Sequence, residues 1–151
     1  MPNEQQHIQW ALHNIDVITY LSKETRYCDW TATVSFYTAL HVIEAVFYRM
    51  SGSCRHGICH ENRMKLLKTT KRFEKIYRHY RNLYSASRIA RYVQDASGDT
   101  VFFADYMPHE RVISDLIQHD LRHVLLSAAK VGKFKKELTE NLHKAVNKLP
   151  K

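Results

Sequence analysis

Glycine and proline are scarce in this chain, which has only 4 and 3 of them among 151 residues. Because these two residues mark turns and helix ends, their scarcity predicts few turns and long regular elements. No run approaches the roughly 18 consecutive apolar residues that a membrane-spanning helix needs, and residues 1–7 lack the layout of a signal peptide. We therefore expect a soluble, cytoplasmic protein that does not engage a membrane.

Cysteine is also rare, and its number is odd: Cys28, Cys54 and Cys59. An odd number of cysteines in an apparently cytosolic chain argues against a disulfide framework. Cys54, His56, Cys59 and His60 offer four potential zinc ligands, but they crowd into seven residues. Zinc sites usually draw ligand pairs from two separated segments, and c-type haem requires Cys-x-x-Cys-His. The sequence therefore predicts neither a bound metal nor a cofactor.

Acidic residues are outnumbered, since 15 Asp and Glu face 23 Lys and Arg, and the net charge is +8. A positive field favours polyanions through charge neutralisation and counterion release. RNA or a nucleotide is thus the first partner class to consider, although the same charge could serve solubility alone. The length suits one domain with a real core, since a chain of this size buries roughly 70% of its unfolded surface. We expect a single domain over residues 1–151.

Apolar residues recur at helical spacing throughout the chain. A first helix carries one stripe, Ile8, Leu12, Ile15, Ile18 and Leu21. A second helix, from about Trp30 to Met50 with Asp29 as its N-cap, carries two apolar stripes roughly 120° apart. A helix with two apolar faces is expected at the centre of a bundle.

Four further segments complete the prediction. They are a short helix over about Glu61–Thr69, a long one over about Lys71–Ala96, a third from Pro108 to a stop at Gly132, and a last amphipathic segment over 134–149. Residues 101–106 read as a packed loop. The predicted fold class is all-α, an up-and-down bundle of five or six helices.

A polar loop after the second helix is the densest concentration of reactive side chains. Residues 49–63 contain three arginines, two histidines and two cysteines. Metal-free RNA cleavage needs a base for the 2′-hydroxyl, an acid for the leaving 5′-oxygen and a guanidinium for the phosphorane charge. His60 and Arg55, supported by His56 and Arg63, could supply these groups.

His41 and Glu44 are two polar residues on an aromatic face of the second helix, beside Tyr37 and Tyr48. Unpaired burial of such groups costs a few kcal/mol, so each calls for a partner. One interpretation is a mutual or cross-helix hydrogen bond; the other is a pocket wall near the polar loop. A di-iron centre is not predicted, because the Glu-x-x-His motifs that it needs on two helices are missing.

Three stretches together resemble one family. Residues 29–45 contain Trp30-Thr31-Ala32 and end in Phe36-Tyr37-Thr38-Ala39-Leu40-His41-Val42-Ile43-Glu44-Ala45; then come His60-Glu61-Asn62-Arg63 and the run Leu83-Tyr84-Ser85-Ala86-Ser87-Arg88-Ile89-Ala90-Arg91-Tyr92. These stretches, which span about residues 29–96, resemble the corresponding parts of bacterial and archaeal HEPN-domain proteins.

The resemblance implies a HEPN-like helical bundle, commonly a homodimer, and often a metal-independent ribonuclease of toxin–antitoxin or defence systems. The family hallmark is Arg-x4-6-His with a polar residue after the arginine. Arg55, His56 and His60 match it and are the implied catalytic residues. Other residues are expected to bind RNA in the dimer cleft: Arg63, His41, Glu44, Tyr37, Arg88, Arg91 and Tyr92. The Lys- and Arg-rich outer face of the fourth helix would extend that surface.

Two alternatives remain open. Some branches of the family are non-catalytic and bind a nucleotide or a partner nucleotidyltransferase, which acts as antitoxin. A third hypothesis is a small helical interaction protein whose charge is incidental. Salt-sensitive RNA binding would argue against the third, and metal-free RNA cleavage would separate the first two.

Overall fold

The computed structural model describes residues 2–51, 59–95 and 97–151. The α-helices in these ranges are α1 (Glu4–Leu21), α2 (Cys28–Ser51), α3 (His60–Thr69), α4 (Glu74–Tyr92), α5 (Phe103–Tyr106), α6 (His109–Arg111), α7 (Arg122–Gly132) and α8 (Lys136–Asn147). A π-helical segment, Val112–Leu121, joins α6 to α7. No extended strand occurs in the described ranges, and the prediction of an all-α bundle is confirmed.

Helix α1 begins with a reciprocal cap. The Asn3 side chain accepts a hydrogen bond from the backbone N–H of Gln6, and the Gln6 side chain accepts one from the N–H of Asn3, which satisfies two donors at the helix start. From there Ile8, Ile15 and Ile18 are fully buried. The predicted apolar stripe is therefore the face along which α1 packs on α2.

Helix α2 occupies the centre of the bundle, as its two apolar stripes predict. It contacts α1, α4, α7 and the π-helical segment, and Phe36, Ile43 and Phe47 are essentially inaccessible to solvent. Each such side chain contributes about 1.5–3 kcal/mol through burial. This central position fixes the residues of α2 against three other helices.

The start of α2 differs from the prediction that Asp29 is its N-cap. The helix already begins at Cys28, directly after a 3-10 turn over Thr25–Tyr27. Asp29 lies in the first helical turn, where its carboxylate accepts the N–H of Trp30 at 2.8 Å. The incoming 3-10 turn extends the helix backwards, and Asp29 instead complements the positive end of the helix dipole.

The predicted end of α4 near residue 96 was also wrong, because the helix stops at Tyr92. Val93 adopts a left-handed conformation with φ of 55°, and its carbonyl accepts the N–H of Val101 at 3.0 Å. The Asp95 side chain accepts the N–H groups of Ser97 and Asp99. These bonds turn the backbone away from the helix before its apolar pattern ends.

The predicted packed loop over residues 101–106 is only partly buried, since Phe102 is 67% and Tyr106 38% exposed, and it contains a short helix. Phe103, at the start of α5, is buried. The helical run that follows reaches Gly132 as predicted, yet the left-handed residue that ends it is Lys133, with φ of 46°. Gly132 makes a close contact instead: a Cβ there would lie 2.7 Å from the tip of the Phe134 ring, so a larger residue would have to displace that ring.

The last helix, α8, closes the bundle against α1 and α7. Its buried face is formed by Leu142, Ala145 and Val146, and Leu149 is buried just beyond its end. In the described part of the chain no helix combines the length and the apolar character that crossing a membrane requires.

Candidate functional site

A buried ion pair joins α2 to α3. Both Nε and Nη2 of Arg63 lie 2.6 Å from Oε1 of Glu44, and each side chain is only 5% exposed. Removing one partner of such a pair typically costs about 3–5 kcal/mol, because a charge is left buried and unpaired. Glu44 therefore holds the Arg63 guanidinium in place, and Arg63 in turn orients the start of α3.

His60, the first residue of α3, is held by that guanidinium. Its Nδ1 lies 3.2 Å from Nη1 of Arg63, and its ring packs against Phe36 and Tyr84 at 5.5 and 5.4 Å between centroids. Because a guanidinium only donates, Nδ1 accepts, and the proton of the neutral imidazole resides on Nε2.

The pKa of His60 is lowered, first by burial and then by the positive charges of Arg63 and Arg91. Both causes disfavour the imidazolium. His60 is therefore neutral at physiological pH, which is the form that can take up a proton.

Arg91 supplies a second cation from α4. Its Nη1 donates to the Tyr37 hydroxyl at 3.3 Å and its Nε to the Ser87 carbonyl at 3.1 Å. The guanidinium also lies over the rings of Tyr37 and Tyr92, at 5.7 and 5.1 Å from their centroids. Such cation–π contacts contribute about 0.5–2 kcal/mol each. We call Glu44, His60, Arg63, Arg91 and Tyr37 the His60 cluster.

Tyr80 lies beneath this cluster and is almost fully buried. Burial raises the pKa of its hydroxyl, which is therefore protonated. The neighbouring Arg63 acts on that hydroxyl both by its charge and as a hydrogen-bond donor, although the contact falls short of strict hydrogen-bond geometry. A buried donor in this condition is costly, and it marks the floor of the cluster as polar.

His41 is partnered across helices, as the first of the two interpretations of its position predicts. Its Nδ1 lies 3.1 Å from Nδ1 of His7 on α1, and Trp10 stacks on its ring. The pKa of His41 falls to about 4, through burial, then His7, then Arg63. The pKa of His7 is lowered by burial and by Arg63. His41 and Glu44 thus both make cross-helix bonds rather than bonding each other.

The remaining predicted residues are placed as follows. Arg88 donates from Nη2 to the Asp95 carbonyl at 3.0 Å and so fastens the loop after α4, a role that the sequence did not predict. Tyr92 is 61% exposed. Arg55 and His56 lie outside the described residues. The structure therefore brings together His60, Arg63, Glu44, Arg91 and Tyr37.

The structure contains a second cluster, of histidines, that the sequence did not predict. His79 on α4 and His123 on α7 stack at 4.6 Å between ring centroids, with His119 beside them, and His79 bonds the buried carboxylate of Asp120. The only local signal was the spacing His119-x3-His123 around Asp120. His79 lies 41 residues away from Asp120, so only the packing of α4 against the π-helical segment reveals it.

An open groove of about 730 Å³ runs over this second cluster. Exposed cations of α4 line it: Lys75, Arg78 and Arg81. This surface is the outer basic face that the sequence predicted. Anionic ligands are favoured along it.

The chain was compared with known proteins by family model, by sequence and by structure. No protein-family model, curated protein or solved structure matches it.

Proposed function

We propose that this chain is a HEPN-type endoribonuclease that cleaves RNA without a metal ion, as a homodimer in the cytoplasm. The observation that carries the proposal is a neutral imidazole, His60, held beside the guanidiniums of Arg63 and Arg91. That combination provides a proton-transfer group and positive charge for a phosphate in one place. The resemblance of residues 29–96 to HEPN domains agrees with it.

In this proposal the groups have separate roles. His60 exchanges a proton with the 2′-hydroxyl or the leaving oxygen, and Arg55, with His56, stabilises the charge that develops on the phosphorane. Nδ1 of His60 is engaged by Arg63, so RNA binding must open that contact before His60 acts as a base there. Glu44 is a positioning residue, because it reaches His60 only through Arg63.

RNA would be held by cations around the cluster. Arg91 is in place beside Tyr37, and the exposed Lys75, Arg78 and Arg81 extend the basic surface along α4. In a homodimer, two copies of His60 would face a shared cleft. A nucleotidyltransferase antitoxin is the partner class that this proposal implies.

A second candidate is a non-catalytic module that binds a nucleotide or RNA, alone or with a nucleotidyltransferase partner. The bond from Arg63 to His60 favours it, because that bond leaves Nε2–H as the free group of the imidazole. Together with Arg91, this makes a set of donors that suits a phosphate anion without any proton transfer.

The deciding experiment compares wild type with His60→Gln in EDTA on single-stranded RNA. Gln retains a hydrogen-bond donor but cannot transfer a proton, so we expect cleavage to fall by about 10²–10⁴-fold while RNA affinity changes little. In wild type, the acid limb of the rate profile should lie below pH 6.5, because the pKa of His60 is lowered.

The matched control is His143→Gln, an exposed histidine on α8, which should cleave like wild type. Undiminished cleavage by His60→Gln would remove His60 from the chemistry. Binding of RNA without cleavage by either protein would instead establish the non-catalytic module.

A further inference from the structure

Three histidines from two parts of the chain converge at the groove on α4. His79 comes from α4, His119 from the π-helical segment and His123 from α7, and one ligand nitrogen of each lies within 4.8 Å of the others. His119 and His123 lie one helical turn apart on the same side. The π-helical segment ends between them, at Leu121.

Hydrogen bonds fix the ring nitrogens of two of these histidines. Nδ1 of the buried His79 lies 2.7 Å from Oδ1 of Asp120, which also accepts the Asn82 side-chain amide at 3.3 Å. Nδ1 of His123 lies 2.6 Å from the His119 carbonyl. Because a carboxylate and a carbonyl accept hydrogen bonds, each Nδ1 donates, and in the neutral rings each Nε2 has a free lone pair.

This arrangement is the one that metal-binding histidines use. Such a histidine almost always donates its second ring N–H to a carboxylate or a backbone carbonyl, which sets its tautomer and orientation. We propose that His79, His119 and His123 form a binding site for a divalent transition-metal ion of the zinc class, with Asp120 as the supporting carboxylate. A fourth position would open to the groove.

The donor set determines the class of ion. Imidazole nitrogen suits Zn²⁺, Co²⁺, Ni²⁺ and Cu²⁺, whereas Mg²⁺ and Ca²⁺ require oxygen ligands. Tetrahedral coordination with Zn–N bonds of about 2.0–2.1 Å places ligand nitrogens roughly 3.4 Å apart. His119 is exposed and its ring is not held by either of these hydrogen bonds, so rotation of its side chain can close the remaining distance to His79 and His123.

The surrounding charge shapes what the open position would accept. Lys75, Arg78 and Arg81 line the same groove, and they oppose a bare cation but favour an anionic ligand on it. Asp120 supplies the nearby negative charge. The site shares no residue with the His60 cluster, so it neither supports nor requires the proposed RNA cleavage.

The test is a titration of untagged, reduced full-length protein with Co²⁺, followed by visible absorption, and with Zn²⁺, followed by calorimetry. We expect one equivalent of metal per chain, and a melting temperature that rises with metal because the ion binds the folded state. His123→Ala, at an exposed ligand, should weaken binding at least tenfold. Asp120→Asn should weaken it about 10–100-fold.

The control variant is His143→Ala, which removes an exposed histidine far from the cluster in sequence and should bind like wild type. Circular dichroism of each variant checks that the bundle is intact, and His123→Ala decides the matter if Asp120→Asn does not fold. Absence of binding by wild type, or equal binding by His123→Ala, overturns the proposal. So does a thiolate-to-cobalt charge-transfer band, because it would place the metal on cysteine.

Discussion

At the scale of single residues, burial and one shared guanidinium together disfavour protonation of three histidines. Arg63 contributes to the lowered pKa of His7, His41 and His60, in each case after burial. Glu44 neutralises that guanidinium at 2.6 Å, yet the imidazoles remain unfavourable sites for another proton. The region beside α3 is therefore held neutral at its histidines, the charge of Arg63 is offset by Glu44, and Arg91 supplies positive charge that favours a phosphate.

The same effect predicts how stability depends on pH. The pKa of His41 is about 4 in the folded protein and 6.5 in the unfolded chain, so the unfolded state binds more protons between these values. The free energy of unfolding should therefore rise with pH from about 4 to 6.5 and level off above. Allowing for partial exposure and for coupling to His7, His41 should contribute on the order of 2 kcal/mol.

Urea unfolding across that pH range, with wild type and His41→Gln, measures this contribution. Gln can still bond His7 but does not titrate. The variant should therefore lose a large part of the slope of unfolding free energy against pH. His143→Gln, which replaces an exposed histidine, should keep the whole of it. Equal slopes for wild type and His41→Gln would mean that burial of His41 does not exclude its proton.

At the scale of helices, the sequence correctly predicted which helix faces are buried, because apolar periodicity determines them. The stripe through Ile8, Ile15 and Ile18 places α1 correctly, because apolar spacing decides which face is buried. The end of α4 could not be predicted from periodicity. Val93 adopts the left-handed conformation, which valine usually avoids, and its carbonyl accepts a hydrogen bond from Val101 in the following loop. Likewise, the pairing of Glu44 with Arg63 depends on how α3 docks, which no local pattern specifies.

The conformation of Val93 leads to a prediction about α4. A β-branched residue in the left-handed region carries a cost of about 1–2 kcal/mol that glycine avoids, and Val93 is 39% exposed, so its removal loses only part of the packing of a buried valine. Val93→Gly should therefore raise the free energy of unfolding by roughly 0.5–1 kcal/mol after the added entropy of the unfolded chain. Denaturant titration measures it.

The matched control is Val17→Gly, which makes the same substitution inside α1. Glycine there should lower the free energy of unfolding by roughly 0.3–0.5 kcal/mol through helix propensity, with a further loss from the partly buried side chain. If Val93→Gly is also destabilising, packing of the valine side chain stabilises the left-handed turn by more than its backbone strain costs, and the prediction is wrong.

At the scale of the whole molecule, α4 connects the two clusters. Its inner face carries Tyr80 and Leu83 into the core, while its outer face exposes Lys75, Arg78 and Arg81. His79 lies between these faces beneath the groove, and Arg91, near the helix end, reaches the His60 cluster. The groove is lined by residues 74–82 of α4, whereas Tyr84 and Arg91, further along the same helix, belong to the surroundings of His60.

This arrangement predicts a specific salt dependence for RNA binding. Each neutralised phosphate of a single strand contributes about −0.7 to the slope of log affinity against log salt concentration. Replacing two cations of α4, as Lys75→Gln with Arg78→Gln, should make the slope shallower by about 1.4. The pair Lys136→Gln with Lys144→Gln on α8 removes the same charge elsewhere and should leave the slope nearly unchanged.

Fluorescence anisotropy of a labelled single-stranded RNA over a series of salt concentrations measures both slopes. Equal changes in the two double variants would show that RNA responds to the net charge of +8 without a preferred face. A change confined to the α4 variant would place the backbone of the RNA on α4. Because net charge is the same in both variants, the difference between their slopes reports position alone, which separates a binding surface from a diffuse field.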